Sequence, residues 1–312
     1  MASKTPVILD MDPGHDDAVA LVLACGAPEL EIRAVTTVSG NAPLSKTTKN
    51  ALRVLSLIGR EDVPVGAGAE TPLARPLHTA EDIHGESGLE GAELPELAHE
   101  PDGRGAVRLM ADIVEASAES VTLVATGPLT NVATFVEEHP RLAGKIARIF
   151  LMGGSMGLGN VTPAAEFNIY VDPEAARVVF ESGLPITMAG LDVTRKATVG
   201  SEGLERLRSF GWVGEAIAKG MTFYAGAYEA VTGSDAPPIH DAVAVAAALE
   251  PGILKTQLMR VEIECKGEFT RGETVCDLRG VWDKEPNAEV ALDLDEAAFF
   301  EILYRSLKEL GS

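Results

Sequence analysis

Residues 7–24, VILDMDPGHDDAVALVLA, place four carboxylates within eight positions: Asp10, Asp12, Asp16 and Asp17. They fall where one apolar run ends in Pro-Gly and a second begins. Like charges this close raise one another's pKa unless a counter-charge is supplied. No Lys or Arg lies between Lys4 and Arg33, so the neighbouring sequence supplies none. A helix N-terminus at Asp16-Asp17 favours an anion by a fraction of a kcal/mol up to about 1 each. A bound cation does far more. Carboxylates with main-chain and amide oxygens form a hard donor set, suited to Ca2+ or Mg2+ rather than Zn2+. Helix capping by Asp16 or Asp17 accounts for one aspartate well and at most for two. It leaves Asp10 and Asp12, at the end of an apolar strand, unexplained, so cation binding is expected here.

Other polar groups recur in comparable places. Ser39-Gly40-Asn41, the stretch 126–131 (TGPLTN), Gly153-Gly154-Ser155 with Asn160 and Glu166-Phe167-Asn168, and Asp192 each follow an apolar run. His240-Asp241 precedes a helical pattern, with Asp241 near the N-cap position. His is the side chain that exchanges a proton near neutral pH. His84 lies in IHGESG, within a glycine-rich polar stretch, 79–91, long enough to form a flap and equally readable as a surface loop. Tyr224 and Tyr228 are four apart on one helix face, a spacing that also serves core packing. His15, His78, His99 and His139 carry no site expectation. The glycines at 153–157 lack G-x-G-x-x-G spacing and no Walker A sequence is present, so a nucleotide phosphate loop is not expected.

The elements that must position these groups alternate. Strands are expected at 7–9, 31–38, 63–65, 120–125, 147–152 and 185–189, and helices at 18–24, 45–58, 105–116, 129–138 and 173–181. This βαβ rhythm, with strands apolar throughout, predicts an α/β fold: an open, mostly parallel central sheet flanked by helices. After Asp192, residues 201–210, 212–231 and 241–249 read as a helical insertion. Residues 258–265 and 272–278 read as a C-terminal β-hairpin, 289–294 as a last strand and 296–310 as a closing helix. Ligands of such sheets bind beyond the carboxyl ends of the strands, where the polar groups collect. No linker, repeat or low-complexity tract divides residues 1–312, so a single domain is expected.

Composition narrows the partners. The net charge of −21 argues against nucleic acid and anionic membranes. No apolar stretch approaches a bilayer span, and the start, MASKTPVILDMD, is not expected to act as a signal peptide. Three cysteines without metal-type spacing suit a reducing cytoplasm.

The segment DMDPGHDDA (10–18) closely resembles the D-x-D-P-G-x-D-D-A signature of the nucleoside hydrolases of the inosine/uridine-preferring type. TTVSGN (36–41), HGESG (84–88), ATGPLTN (125–131), LMGG (151–154), AEFNIYVDPEAA (165–176), GLDVT (190–194), HDAVAV (240–245) and TRGETVCDLRG (270–280) resemble family segments in family order, across essentially the whole chain. The resemblance implies a Rossmann-like winding and Ca2+-dependent hydrolysis of the N-glycosidic bond of purine or pyrimidine ribonucleosides, within base salvage. It implies that Asp12, Asp17 and Asp241, with the Thr126 carbonyl, hold the metal. Asp12 would also take the proton of the attacking water. Asp16, Asn41 and Asn168 would hold the ribose 2′- and 3′-hydroxyls; Met152, Asn160 and Glu166 would contact the sugar and its 5′-hydroxyl. Asp10 would stand behind the metal ligands. His240 would protonate the leaving base, with His84, Phe167, Tyr224 and Tyr228 beside it. Homodimers or homotetramers are the family's assemblies.

Two rivals have clear signatures. Asp10-Met11-Asp12 resembles the D-x-D pair of haloacid dehalogenase-like phosphatases, but the Pro-Gly after Asp12 and the extra Asp16-Asp17 do not fit that pattern. A non-catalytic nucleoside- or Ca2+-binding module would be favoured by loss of Asp12 or His240, and both are present.

Overall fold

The first apolar run forms β1 (Thr5–Met11), buried from Pro6 onward in a computed structural model that describes residues 4–97 and 99–311. Its side chains alternate between two cores. Val7, Leu9 and Met11 join one apolar cluster and Ile8 the other, as the two-residue period of a strand requires. The remaining strands are β2 (Leu30–Thr37), β3 (Val65–Ala67), β4 (Val121–Ala125), β5 (Ile146–Met152), β6 (Ile186–Ala189), β7 (Leu254–Met259), β8 (Val261–Ile263), β9 (Thr274–Cys276) and β10 (Ala288–Leu294).

The main sheet has the order β3-β2-β1-β4-β5-β6-β10-β7. The pairs from β3 through β10 are parallel, and β7 closes one edge antiparallel to β10. The run 3-2-1-4-5-6 is the Rossmann order, so the expected winding is present. Helices His15–Gly26, Leu44–Leu57, His240–Leu249 and Glu296–Leu310 pack in one apolar layer; Ala106–Ala116, Thr130–Glu138 and Pro173–Glu181 pack in the other. His15–Gly26 is buried almost all round, because AVALVLA offers no polar face and the helix lies among others. The helical insertion is Ser201–Arg208, Gly211–Thr232 and His240–Leu249.

Two expectations need correction. The strand expected at 258–265 is divided: β7 belongs to the main sheet and only β8 pairs with β9 as the hairpin. Asn287 causes the division. Its Oδ1 accepts the Val261 N–H at 2.7 Å and its Nδ2 donates to the Val261 carbonyl at 2.9 Å, so both main-chain groups leave the ladder between the sheets. The strand expected at 63–65 begins instead at Val65, since Pro64 offers no N–H and only its carbonyl is used, by Val35. Among the described residues no helix is long and apolar enough to cross a membrane.

Candidate active site

The order of the sheet reverses between β1 and β4, where such folds open a crevice. Asp10 is paired with Ala125 there, and the Thr126 N–H donates to the Asp10 carbonyl at 2.8 Å. The chain then turns at Pro13-Gly14 into the helix His15–Gly26, earlier than the residue 18 start expected. Asp16 and Asp17 fall in its first turn, with the Asp17 carboxylate capping the Gly14 N–H at 3.0 Å. The helix His240–Leu249 brings Asp241 to the same place. One carboxylate oxygen from each of Asp16, Asp17 and Asp241 lies within 4.8 Å of the others, all three residues buried.

Asp12 sits beside them. Its Oδ2 accepts the Asn41 N–H at 2.7 Å, while Oδ1 is buried without a hydrogen-bond partner. Two glycines permit this depth. A Cβ at Gly40 would stand 2.0 Å from Asp12 Oδ2, and one at Gly127 would stand 2.7 Å from Oδ1. Asp17 Oδ2 also accepts from Asn41 Nδ2 at 3.1 Å, and its Oδ1 from the Thr126 hydroxyl at 2.8 Å. Below, Asp10 Oδ1 accepts from Thr36 Oγ1 at 2.6 Å and from Asn131 Nδ2 at 2.8 Å; its Oδ2 is a second buried oxygen without a partner.

Burial dominates the electrostatics. It pushes Asp10 and Asp16 up to about 7, Asp16 with a further push from Asp17. Burial, then the charge of Asp17, holds Asp12 well above the carboxylate range; burial and the charges of Asp16, Asp17 and Asp12 do the same to Asp241. No cationic side chain relieves the cluster through an ion pair among the described residues. Two unpartnered carboxylate oxygens and a purely oxygen donor set fit a hard divalent cation, and neutral donors nearby do not replace it.

A cavity of about 600 Å3 opens above the carboxylates. Its lining includes the residues that the family resemblance assigns to the site, except Asp10, Asp12 and Asp17, which lie beneath. On the sugar side, Asn168 Nδ2 donates to the Thr126 carbonyl at 2.7 Å and the Met152 carbonyl at 3.1 Å, which leaves its Oδ1 for a ligand. Glu166 N-caps the helix Phe167–Val171, accepting from Asn168 and Ile169, and also accepts from Gly154. Burial pushes it up to about 7 against those bonds. Asn160 Oδ1 is taken by the main-chain N–H groups of Val161 and Phe167, so its Nδ2 is the group left for a ligand.

Across the cavity, the stretch 79–91 forms one helical turn, Glu81–His84, and His84 is buried. His84 and Tyr224 stack with ring centroids 5.4 Å apart, and Tyr228 leans on Tyr224. His240 Nδ1 lies 2.7 Å from the Thr194 hydroxyl. Burial pushes His240 down to about 3 and holds His84 well below the usual histidine range, so both are neutral near pH 7.

Some participants carried no expectation. His15 packs against both His84 and Tyr224, with ring centroids 5.3 and 5.4 Å away, does not line the cavity itself, and gives its main-chain N–H to His84 Nδ1 at 3.2 Å. Its neighbour position in DPGHDD was the available signal. His78 and Arg195 line the cavity, and Thr194 was visible only as part of GLDVT. Asp192, expected at the crevice, does not line the cavity and turns to accept the Met156 N–H at 2.7 Å.

A Rossmann-wound sheet whose switch point gathers buried carboxylates under a ligand-sized cavity defines an α/β enzyme acting on a small molecule. The sequence model of the inosine-uridine preferring nucleoside hydrolases matches residues 7–301. The pyrimidine-specific ribonucleoside hydrolase RihA of Shigella boydii is 48% identical over 97% of this chain and 98% of its own. RihA of Klebsiella pneumoniae is 49% identical over the same shares. Among solved structures, the purine-preferring ribonucleoside hydrolase of Gardnerella vaginalis superposes with a TM-score of 0.92 at 31% identity, covering 98% of this chain and 99% of that one. A plant nucleoside hydrolase, the PpNRh1 enzyme, gives 0.92 at 35% identity, covering 97% and 99%. The chain belongs to the inosine-uridine preferring nucleoside hydrolase family. It is accordingly an N-ribosyl hydrolase.

Proposed function

We propose that this enzyme is a Ca2+-dependent hydrolase of pyrimidine ribonucleosides, releasing ribose and free base. The observation that carries the reading is the buried, unpartnered Asp12 Oδ1 beside the Asp16, Asp17 and Asp241 oxygens. Relatives near half identity that are named as pyrimidine-specific support the choice of base over the purine-preferring structure at 31%.

Asp12, Asp17 and Asp241, with the Thr126 carbonyl, would hold Ca2+. When bound, the ion supplies charge that lowers the pKa of water and anchors hydroxyl oxygens. Asp12 Oδ1 takes the proton of the attacking water, since Oδ2 is already held by Asn41. Asp16, Asn41 and Asn168 fix the ribose 2′- and 3′-hydroxyls, while Asn160 Nδ2, Glu166 and Met152 meet its 5′ end. As the C1′–N bond breaks, positive charge grows on the ring, and this acidic floor stabilises it. O-glycosidases assign acid and base to two carboxylates; here the leaving group is a nucleobase. His240, with Nδ1 held by Thr194, presents Nε2 to that base, and His84, Phe167, Tyr224 and Tyr228 pack around it. An uncharged nucleoside suits a lining whose one Lys or Arg side chain is Arg195.

Residues 1–312 would act as one nucleoside hydrolase domain in the cytoplasm. Self-association as a homodimer or homotetramer is supported by apolar side chains left exposed near the β7 edge, Leu258 and Val281 among them.

Ribose release from uridine, cytidine, inosine, adenosine and guanosine, with Ca2+ present, tests the function. Uridine or cytidine is expected to lead. A purine lead would reverse the base assignment, and silence across the panel with metal bound would remove the catalytic reading.

A further inference from the structure

The short helix Leu191–Thr194 and the residue after it touch both ends of the cavity. Thr194 holds His240 on the base side. On the sugar side, Asp192 accepts the Met156 N–H, and the Arg195 guanidinium donates to two consecutive carbonyls, Leu158 at 3.1 Å and Gly159 at 2.7 Å. The next residue is Asn160, which lines the cavity as Arg195 does.

The loop from Gly157 to Ala165 is otherwise turned on itself. Gly159 N–H donates to the Pro163 carbonyl at 3.1 Å and Asn160 N–H to the Ala165 carbonyl at 3.1 Å, while Leu158 is 72% exposed. Its fold is tight, since a Cβ at Gly159 would stand 2.3 Å from the Thr162 and Ala165 carbonyls. Such a loop keeps its own shape but needs outside ties to set its height over the cavity. One tie is Asn160 Oδ1 to the Phe167 N–H. Ser155 Oγ donates to the Gly157 carbonyl at 3.4 Å, and a further tie is Arg195, which forms no ion pair among the described residues and whose fork is spent on the loop. In a chain with 47 acidic residues, an arginine directed at two carbonyls rather than at a carboxylate is a positioning device. A planar fork fixes two acceptors at once, which a lysine cannot do.

We propose that Arg195 is a positioning residue for recognition of the ribose 5′-hydroxyl. Its guanidinium clamps the Leu158 and Gly159 carbonyls so that Asn160 presents Nδ2 to that hydroxyl. The inference rests on the role given to Asn160 above.

The test compares kcat/KM for the best-cleaved ribonucleoside with that for its 5′-deoxy analogue, in wild-type, Arg195→Ala and Arg195→Lys enzymes. Wild type is expected to favour the 5′-hydroxyl substrate by about tenfold, the scale of one hydrogen bond. Arg195→Ala is expected to lose most of that preference, through KM on the hydroxylated substrate, while any loss from removing the Arg195 charge near His240 falls on both substrates alike and cancels in the ratio. Arg195→Lys, which keeps the charge without the fork, is expected to behave like Ala. Equal losses on both substrates, an intact preference in Arg195→Ala, or full rescue by lysine would each overturn the proposal. A wild type without preference would overturn the role of Asn160 as well, while leaving ribose release intact. The preference is a ratio within one preparation, so partial misfolding cancels.

Discussion

Asn41 grips Asp12 from two sides: its main-chain N–H donates to Asp12 Oδ2 at 2.7 Å and its side-chain Nδ2 to the Asp12 carbonyl at 3.2 Å. The grip fixes one carboxylate oxygen and leaves the other buried without a hydrogen-bond partner. Asp12→Asn keeps the volume but removes both the charge and the proton acceptor. It is expected to lower kcat by roughly 10²–10⁴-fold, the usual weight of a general base, with the thermal midpoint retained or raised because a buried charge is gone. Steady-state rates and a melting curve on one preparation check this. Turnover near wild type would remove Asp12 from the base role.

Asp17 and Asp241 contribute oxygens to one point from two helices, and neither has a cationic partner. Stripping divalent ions is expected to abolish ribose release, and Ca2+ to restore it. Asp17→Asn and Asp241→Asn should each weaken Ca2+ binding by about tenfold or more, as loss of a charged ligand does. Isothermal titration calorimetry reads this without activity. Full turnover after chelation, with metal analysis showing none, would end the cation assignment.

The site was legible in sequence where one short segment carried several groups. Asp10 lies near the end of a buried parallel strand and Asp12, Asp16 and Asp17 follow it; the strand's continuous apolar run marks both its position and its carboxyl end. Thr126, Asn168 and Asp241 stand at comparable boundaries. His15 was illegible because its place depends on the helix Gly211–Thr232 laying Tyr224 beside it, a contact 209 positions away in sequence. Arg195 carried no expectation, because its acceptors are main-chain carbonyls that carry no sequence signature. The short helices Glu81–His84, Phe167–Val171 and Leu191–Thr194 are too brief for a 3.6-residue period to show. The division of the hairpin strand at Arg260 depends on Asn287, which binds Val261 from across the sheet.

Asp10, Asp16 and Glu166 are pushed up by burial to about 7, above the values near 4 that carboxylates have in an unfolded chain. Below about 4 both states hold these protons. Between about 4 and 7 the folded state keeps protons that the unfolded chain has released, so their stabilising contribution falls as pH rises through that window. His15, His84 and His240 are pushed down and act in the opposite sense below about 6.5, then fall silent. The carboxylates therefore act alone above that point. Metal-free protein is expected to melt lower at pH 8 than at pH 6.5, and Ca2+ to raise the midpoint more at pH 8, where fewer protons have to leave the carboxylates for it to bind. Calorimetric scans at the two pH values decide it. A metal-free midpoint that rises with pH would contradict the burial of uncompensated carboxylates.

Thr194 Oγ1 stands 2.7 Å from His240 Nδ1 and thereby leaves Nε2 as the nitrogen that would face the base in the proposed mechanism. Burial keeps His240 neutral, so in the proposed role its N–H would serve the departing base as negative charge builds there. His240→Ala is expected to cost roughly 10²–10⁴-fold on nucleosides, whose bases leave poorly without a proton. On p-nitrophenyl riboside, whose leaving group departs unaided, the loss should be about tenfold or less. Thr194→Val preserves shape and removes the hydroxyl; a loss of about tenfold, again confined to nucleosides, is expected from the misdirected imidazole. The paired substrates separate assistance to the leaving base from general damage to the ribose site. Equal losses on both would place His240 outside leaving-group chemistry and shift that role to His84, which lines the same cavity.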